Sequence, residues 1–213
     1  MAQLVAYTSG GRGVGGSSPP SPNMKDINAQ KVLLRKVIQG RLGELPRERF
    51  KTAGVPLMND IKSLDRWKPE NWLVGFCSTI HEVETKFILK AALKDGLNVA
   101  LPKVEGDYLT FHRITMLKQL IRGYRGILEP QALSPKLDLS VIDTSIIFLI
   151  PGVAFDLFGR RLGSGKGYYD KAIKSFRQLS NNNLLIGVCI EEQIVDSVPI
   201  IFYDEFVDRI YYY

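Results

Sequence analysis

The sequence has little cysteine and no long hydrophobic run, and each absence excludes a class of protein. Its two cysteines, Cys77 and Cys189, lie far apart, show no C-x-x-C spacing and stand inside the apolar runs LVGFC and LLIGVCI. We therefore predict buried, reduced thiols in an intracellular protein, and neither a disulfide nor a nucleophile. No apolar stretch reaches the roughly 18 residues that a membrane span requires, so a soluble protein is expected.

Acidic residues are missing from the start of the chain. Residues 1–24 contain no Asp or Glu and are rich in Gly, Ser and Pro, a composition that cannot bury enough apolar surface to offset its ordering entropy. We interpret them as a flexible leader. Gly11, Gly13 and Gly16 match G-x-G-x-x-G, but the SSPPSP that follows cannot open the helix that this fingerprint requires. With Arg12 as its only arginine the leader is a poor transit peptide, so a cytoplasmic location is expected, with a mitochondrial or other organellar one as the alternative.

The chain as a whole has an ordinary globular composition. Of its 213 residues, 45% are apolar and 23% are charged, which excludes the disordered, collagen-like and coiled-coil classes. A single domain over residues 25–213 is therefore expected. The formal net charge of +6 is spread along the chain, which suits a nucleotide as well as a nucleic acid.

The hydrophobic pattern predicts a mostly parallel sheet with helices on both faces. An amphipathic helix begins at Lys25, and Lys31 and Arg35 lie one turn apart beside its apolar stripe, either against the protein body or as surface cations. Buried strands are predicted at 72–77, 98–102, 145–152 and 184–190, an edge strand at 108–114, a last strand near the C-terminus, and helices at about 84–95 and 166–179. Because strands and helices alternate, we predict a three-layer α/β/α, Rossmann-like fold, with the very apolar run 145–152 at the sheet centre.

A glycine-rich loop follows the predicted central strand. In RRLGSGKGYYDK (Arg160–Lys171), three glycines let backbone N–H groups approach a ligand, next to a helix N-terminus and to the cations Arg161 and Lys166. This arrangement suits phosphate binding, and a turn with solvated charges is the alternative. The loop lacks the G-x-x-x-x-G-K-[ST] pattern and its Mg²⁺-binding hydroxyl, so Asp170 is the nearest candidate for a metal ligand.

The longer run PGVAFDLFGRRLGSGKGYYDK (Pro151–Lys171) resembles the signature of the 5-formyltetrahydrofolate cyclo-ligase family, also called 5,10-methenyltetrahydrofolate synthetases. Shorter marks of the same family lie across the chain after the leader. They are Lys31 with Arg35, Glu82 with Glu84, the tripeptide Leu128–Pro130, Gln193 and Asp208. The long signature is highly specific, whereas each short mark alone is weak.

The resemblance implies an ATP-dependent ligase. Enzymes of this family phosphorylate the N5-formyl oxygen of 5-formyltetrahydrofolate, after which N10 attacks the activated carbon. The products are 5,10-methenyltetrahydrofolate, ADP and phosphate. The implied partners are the folate, with or without a polyglutamate tail, and ATP with Mg²⁺; a monomer that binds neither nucleic acid nor membrane is expected.

The resemblance also implies roles for individual residues. Those expected to be catalytic are Lys166, Arg161 and Tyr168. Those expected to bind ATP are Lys31, Arg35, Arg161, Leu162, Gly163, Ser164, Gly165, Lys166, Gly167, Tyr168 and Tyr169. Those expected to bind the folate are Cys77, Glu82, Tyr168 and Tyr169, and the expected Mg²⁺ ligands are Asp170 and Asp208. Core packing is the alternative for one of the tyrosines, a helix N-terminal charge for Asp170 and an exposed strand residue for Asp208.

Ser164 is the clearest departure from the family pattern, which has arginine at this position. Loss of that cation would remove a charge-assisted contact worth about 1.5–3 kcal/mol, so a weak or inactive relative that binds folate or nucleotide is an alternative. A less favoured alternative is an RNA-binding protein that uses the basic stretch around Lys118, Arg122 and Arg125, which lacks an aromatic stacking platform. His112, on the alternating edge strand, is expected to be solvated.

Overall fold

The computed structural model describes residues 5–6, 23–179 and 183–213. Its α-helices are α1 (Met24–Gly43), α2 (Arg47–Thr52), α3 (Gly54–Lys62), α4 (Lys86–Lys94) and α5 (Tyr168–Leu179). Its strands are β1 (Val5–Ala6), β2 (Trp72–Val74), β3 (Asn98–Glu105), β4 (Tyr108–Ile114), β5 (Leu120–Arg122), β6 (Leu128–Pro130), β7 (Ile146–Ile150), β8 (Ala154–Phe155), β9 (Arg161–Leu162), β10 (Leu184–Cys189) and β11 (Arg209–Tyr212). All the predicted helices and strands are present, whereas α2 and α3 were not predicted. No helix in the described ranges is long and apolar enough to cross a membrane.

The first helix begins where a side chain can cap it. Asn23 Oδ1 accepts hydrogen bonds from the backbone N–H groups of Lys25 and Asp26 at 2.9 and 3.0 Å, which satisfies donors that a helix start leaves open. Helix α1 therefore includes Met24, one residue of the predicted leader. Two other leader residues form β1, which pairs antiparallel with β11. The predicted flexibility of positions 1–4 and 7–22 falls outside the described residues and stays a prediction.

Within the described residues, seven strands form one sheet in the order β1-β11-β10-β7-β2-β3-β4. The strands from β11 to β3 in this order are parallel, while β4 is antiparallel to β3 and forms an edge. Strand β7 lies in the middle, as its unbroken apolar sequence predicts. Numbered along the chain, the parallel strands have the order 2-1-3-4-5, so the winding reverses between β2 and β7. A ligand site is expected beyond the carboxyl ends of these two strands.

Alternate residues of the central strands contribute to two separate cores. On one face of the sheet, Leu73, Ile147 and Leu149 pack in a core with residues of α1 to α4. On the other face, Val74 and Phe148 pack in a core with residues of α5. Because successive side chains of a strand point to opposite faces, the fully apolar strand β7 supplies both. The three-layer α/β/α prediction is confirmed.

The edge strand β4 is covered on the side where His112 points, so the prediction that this histidine is solvated is wrong. His112 is 5% exposed. Its Nδ1 lies 2.8 Å from the Ser134 carbonyl oxygen and its Nε2 lies 3.0 Å from Thr110 Oγ1. The segment that contains Ser134 packs back on β4 and removes from solvent a side chain that the alternation predicts to face water.

A short hairpin, β8 and β9, follows the central strand and carries the glycine-rich loop. Its turn is fixed by Asp156, which is fully buried. The two carboxylate oxygens of Asp156 accept hydrogen bonds from the backbone N–H groups of Phe158 and Arg160 in the turn, and of Val198 in a distant segment, at 2.8–3.2 Å. This carboxylate holds the hairpin, and hence the start of the loop, over the carboxyl end of β7.

Candidate active site

A cavity of about 420 Å³ opens at the carboxyl ends of β2 and β7, where the winding of the sheet reverses. Its walls come from the segment after β2, the segment after β7, the loop that joins β9 to α5, and the region of β6. The volume lies in the range of small-molecule sites, roughly 300–1,000 Å³. The place is the one at which a sheet of this topology binds ligands.

Two glycines of the loop are required by its backbone geometry. Gly165 and Gly167 have φ values of +97° and +69°, left-handed backbone conformations that disfavour any side chain. Gly163 passes so close to Arg161 that a Cβ atom would lie 2.7 Å from Nη1. The backbone therefore runs directly beside a cation, as the sequence predicts. Gly163 and Gly167 line the cavity, and Gly165 shapes the turn between them.

Arg161 is the most deeply buried cation of the loop. Its side chain is 2% exposed, and Nη2 donates to Asp170 Oδ1 at 2.7 Å. Among the described residues, Nε has no hydrogen-bond partner, and a buried donor without an acceptor costs free energy. Because Arg161 lines the cavity, its guanidinium places a positive charge beside any anionic ligand there.

Helix α1 brings Arg35 to the loop, and Lys31 lies one turn before Arg35 on the same helix. Arg35 Nε donates to the Gly163 carbonyl oxygen at 2.8 Å; burial lowers the pKa of Arg35, and the carboxylates of Asp204 and Asp170 act in the opposite direction. Lys31 is buried and forms an ion pair with Asp204, so these cations border the protein body. Asp204 stands in no motif, and the sequence gives no signal for it.

The predicted ATP-binding residues of the loop differ in what they present to the cavity. Lys166 and Ser164 are exposed and line its mouth. Leu162 is 1% exposed and packs in the core below the hairpin, and its carbonyl oxygen accepts the Val153 N–H at 2.7 Å. The Leu162 side chain therefore packs away from the cavity, and the predicted contact of Leu162 with ATP stays a prediction that would have to involve its backbone.

The two aspartates expected to bind Mg²⁺ lie at opposite ends of the parallel strands. Asp170, in the first turn of α5, lines the cavity. Asp208 directly precedes β11, at the amino-terminal ends of the parallel strands. There it accepts hydrogen bonds from the Leu185 N–H at 2.8 Å and from Arg177 Nη2 at 2.9 Å. The length of β10, roughly 20 Å at about 3.3 Å per residue, separates the two ends of the strands. The structure therefore does not bring the two carboxylates together on one ion, and the described residues contain no group of three or more His, Cys, Asp or Glu suited to a metal.

The segment after β2 brings Glu82 and Cys77 to the cavity, as predicted. Glu82 Oε2 accepts the Thr79 N–H at 2.7 Å. Burial raises the pKa of Glu82, and this hydrogen bond opposes the rise. Burial, and then nearby carboxylates, of which Glu84 is the first, raise the pKa of Cys77 to about 12. The thiol is therefore protonated at neutral pH, which argues against a nucleophilic role.

Tyr168 and Tyr169 begin α5 and both line the cavity. The Tyr168 hydroxyl donates to the Gly106 carbonyl oxygen at 3.3 Å, and its ring meets Tyr124 edge to face at 6.4 Å. The Tyr169 ring lies beside Phe148 of the core at 6.2 Å, and burial raises the pKa of its hydroxyl. Tyr169 thus combines core packing with a place in the cavity wall, and Tyr168 lies closer to the rim.

Gln193 lines the cavity although no binding role was predicted for it. Its Nε2 donates to the Gly152 carbonyl oxygen at 2.8 Å, and its Oε1 accepts the Ile190 N–H at 3.1 Å. The side chain joins the carboxyl ends of β7 and β10. Its signal in the sequence was a weak mark of the family resemblance, which gives no indication of this positioning role.

A groove of about 470 Å³ adjoins the cavity, and four cations and the two carboxylates of Glu82 and Glu84 line it. The cations are Arg47, Lys51, Arg122 and Arg125. Arg125 lines both the groove and the cavity. Part of the basic stretch that suggested RNA binding thus belongs to the surroundings of the cavity.

Known proteins resemble this chain over most of its length. Residues 27–213 match the sequence profile of the 5-formyltetrahydrofolate cyclo-ligase family. The chain is 33% identical to the 5-formyltetrahydrofolate cyclo-ligase of Saccharomyces cerevisiae over 85% of this chain and 94% of that protein, and 28% identical to that of Mus musculus over 87% and 95%. The solved 5,10-methenyltetrahydrofolate synthetase of Aquifex aeolicus has a similar fold, with a TM-score of 0.71, 30% identity and coverage of 85% of this chain and 89% of that one.

Proposed function

Because the chain belongs to the 5-formyltetrahydrofolate cyclo-ligase family, we propose that it uses ATP to convert 5-formyltetrahydrofolate to 5,10-methenyltetrahydrofolate. The γ-phosphoryl group passes to the N5-formyl oxygen, and N10 attacks the formyl carbon. The C–O bond then breaks, phosphate leaves with the former formyl oxygen, and N10 loses its proton; ADP is the other product. The observation that carries the proposal is that the glycine-rich loop and the segment after β2, which carries Glu82, line the same cavity.

The loop side of the cavity suits the triphosphate. Phosphoryl transfer requires mainly positioning and neutralisation of the charge on the transferred group. Lys166 offers an exposed ammonium at the mouth and Arg161 a buried Nε without a partner among the described residues. We assign both to charge neutralisation, together with the backbone N–H groups between Gly163 and Gly167 at the start of α5. Tyr168, at the rim, would orient the reacting groups.

The cations of α1 would extend this phosphate site. Arg35 holds the Gly163 carbonyl oxygen and so positions the loop. Lys31 is engaged by Asp204, so contact with the triphosphate requires Lys31 to exchange this carboxylate for phosphate oxygens or to share it with them. The buried position of Lys31 makes its charge more effective than that of a surface lysine.

Asp170 is the residue of the cavity that fits Mg²⁺. Its Oδ1 accepts from Arg161, and among the described residues Oδ2 has no recorded partner. Mg²⁺ commonly takes one or two carboxylates together with phosphate oxygens and water, so one free carboxylate oxygen beside a phosphate site is a suitable donor set. When bound, the ion would neutralise charge on the phosphates. Leu162, Asp208 and the sequence-predicted pairing of the two aspartates have no part in this proposal.

The opposite side of the cavity suits the pterin. Glu82 accepts hydrogen bonds from Thr79, and its carboxylate has capacity to accept a further one from a ring N–H of the ligand. Cys77 supplies a neutral wall, because its thiol is protonated. Tyr168 and Tyr169 present ring faces and hydroxyls between this side and the loop, where the formyl group must lie to receive the phosphoryl group.

The basic groove beside the cavity would take an acidic tail on the folate. Each γ-linked glutamate adds one carboxylate, and four cations line the groove. Arg125, which lines both spaces, marks the point at which the tail would leave the cavity. We therefore propose that the substrate is accepted in polyglutamylated form, and that these cations serve this tail and not a nucleic acid.

The enzyme is further proposed to act as a monomer in the cytoplasm. Support for the monomer is that residues of one chain supply both sides of the cavity. Light scattering after size exclusion tests the first point. Imaging of the tagged full chain tests the second, and an organellar signal would favour the alternative that the leader is a transit segment.

The reaction is tested by the absorbance of the methenyl product after MgATP and 5-formyltetrahydrofolate are added. Lys166→Ala should lower kcat/KM by about 10²- to 10³-fold without changing the melting temperature, because Lys166 is exposed. Lys174→Ala, which removes an exposed cation from α5, is the matched control and should keep the wild-type rate. No product at any wild-type concentration would contradict the proposed reaction and favour the non-catalytic alternative.

A further inference from the structure

Glu129, in β6, is a buried carboxylate without a partner. It is 7% exposed and lines the cavity. Among the described residues, no hydrogen-bond donor or ion-pair partner is recorded for its carboxylate. Asp156 is also buried, but three backbone N–H groups donate to it. Within the described part of the chain, both carboxylate oxygens of Glu129 are therefore available to accept hydrogen bonds from a ligand in the cavity.

The surroundings of Glu129 keep its carboxylate at this place. Gly123, in the neighbouring turn, lies against it so closely that a Cβ atom at position 123 would be 2.1 Å from Oε2. The carboxylate is near enough to Cys77, another cavity residue, to contribute to the raised pKa of that thiol, after burial and Glu84. A buried acceptor with both oxygens open thus stands in a ligand cavity, where it requires donors.

We propose that Glu129 binds the pyrimidine edge of the pterin, where it accepts hydrogen bonds from the ring N3–H and from the exocyclic 2-amino group. This inference rests on the proposed function and deepens it. The edge presents two parallel N–H donors, which match a carboxylate with two open oxygens. Glu82 is already engaged by the backbone N–H and by the side chain of Thr79, so it is the less suitable partner for two parallel donors.

The test compares two ligands and two variants. The ligands are 5-formyltetrahydrofolate and its analogue with a 2-methyl in place of the 2-amino group, both as monoglutamates, and the readout is the Kd from calorimetry without ATP. Glu129→Gln should weaken binding of the natural ligand about 10- to 100-fold and binding of the analogue by a smaller factor, because the analogue keeps N3–H but lacks the 2-amino donor that Glu129 also binds.

Glu84→Gln is the matched control. Glu84 also acts on the Cys77 thiol, but it does not line the cavity, so both Kd values should stay within about threefold of wild type. An equal loss for both ligands in Glu129→Gln, or no loss for either, would overturn the inference.

The stability of the free variant gives a second, independent readout. Removing a charge that no described residue engages should leave the melting temperature of Glu129→Gln close to that of wild type. A lower melting temperature or failure to fold would show that the carboxylate has a structural partner, which also overturns the inference. Wild-type binding of folate without turnover would contradict the proposed reaction alone, whereas no binding at all would contradict both.

Discussion

At Gly165 the backbone conformation restricts the residue to glycine. Its φ is +97°, whereas a Cβ atom there would lie at an ordinary contact distance, 3.6 Å, from the Cζ atom of Arg35. Gly165→Ala should cost about 1–2 kcal/mol in backbone strain, which displaces the loop from the position that binds phosphate. We expect the KM for ATP to rise about tenfold and the KM for the folate to change little, as initial rates at varied ATP would show.

Gly40→Ala is the matched control for this substitution. Gly40 lies in the interior of α1, where an added Cβ would have no atom within 4 Å. Alanine there should raise stability by about 1 kcal/mol without an effect on either KM. An unchanged KM for ATP in Gly165→Ala, or the same change in both variants, would contradict the role given to the loop geometry.

The loop residues could be predicted because their chemistry is local. Glycines, a lysine and an arginine within eight residues indicate phosphate binding from the sequence alone, and the structure places Gly163 and Lys166 at the cavity. The environment of a single side chain was less predictable. Alternation along β4 predicts that His112 is solvated, and the distant segment with Ser134 covers it. Leu162 likewise has its neighbours in the core from other elements.

At the scale of elements, the sheet decides which aspartate can serve the nucleotide. Asp170→Asn should raise the Mg²⁺ concentration for half-maximal rate at least about tenfold, because it removes the charge of the carboxylate that lines the cavity beside the phosphate site. Asp208→Ala should leave the Mg²⁺ dependence unchanged and lower stability by about 1–3 kcal/mol, since the Leu185 N–H loses its acceptor. Rates at varied Mg²⁺ and urea unfolding measure the two effects. A shifted Mg²⁺ dependence in Asp208→Ala would instead place a functional ion at the amino-terminal ends of the parallel strands.

The order of elements could be predicted better than their contacts. Continuous apolar runs and helical spacing predict the central strand, the parallel sheet and α1, because these signals are contained within single segments. The pairing of Lys31 with Asp204 and the burial of Glu129 were not predicted. The ion pair joins segments that are far apart in the chain, and the burial of Glu129 depends on how β6 packs in the fold. No local sequence pattern indicates either of them.

At the scale of the whole molecule, the net charge of +6 suggests a negatively charged partner but does not indicate where on the protein it binds. The structure gathers Arg47 and Lys51 of α2 with Arg122 and Arg125 of the basic stretch along one groove. These cations come from segments that the sequence separates by about 70 residues, so no run of charge predicts the groove. Its position beside the cavity favours an acidic extension of the small substrate over a nucleic acid.

The groove therefore predicts a charge-dependent preference for the tail. A pentaglutamate substrate should have a KM about tenfold below that of the monoglutamate at low salt, since exposed ion pairs contribute about 0.2–1 kcal/mol each, and the advantage should shrink as salt rises. The double variant Arg47→Ser with Lys51→Ser should lose most of this advantage at every salt concentration. Lys90→Ser with Lys174→Ser removes the same charge from exposed positions of α4 and α5 and should keep it. Equal salt dependence for both substrates, or equal losses in the two double variants, would show that net charge and not the groove determines the preference.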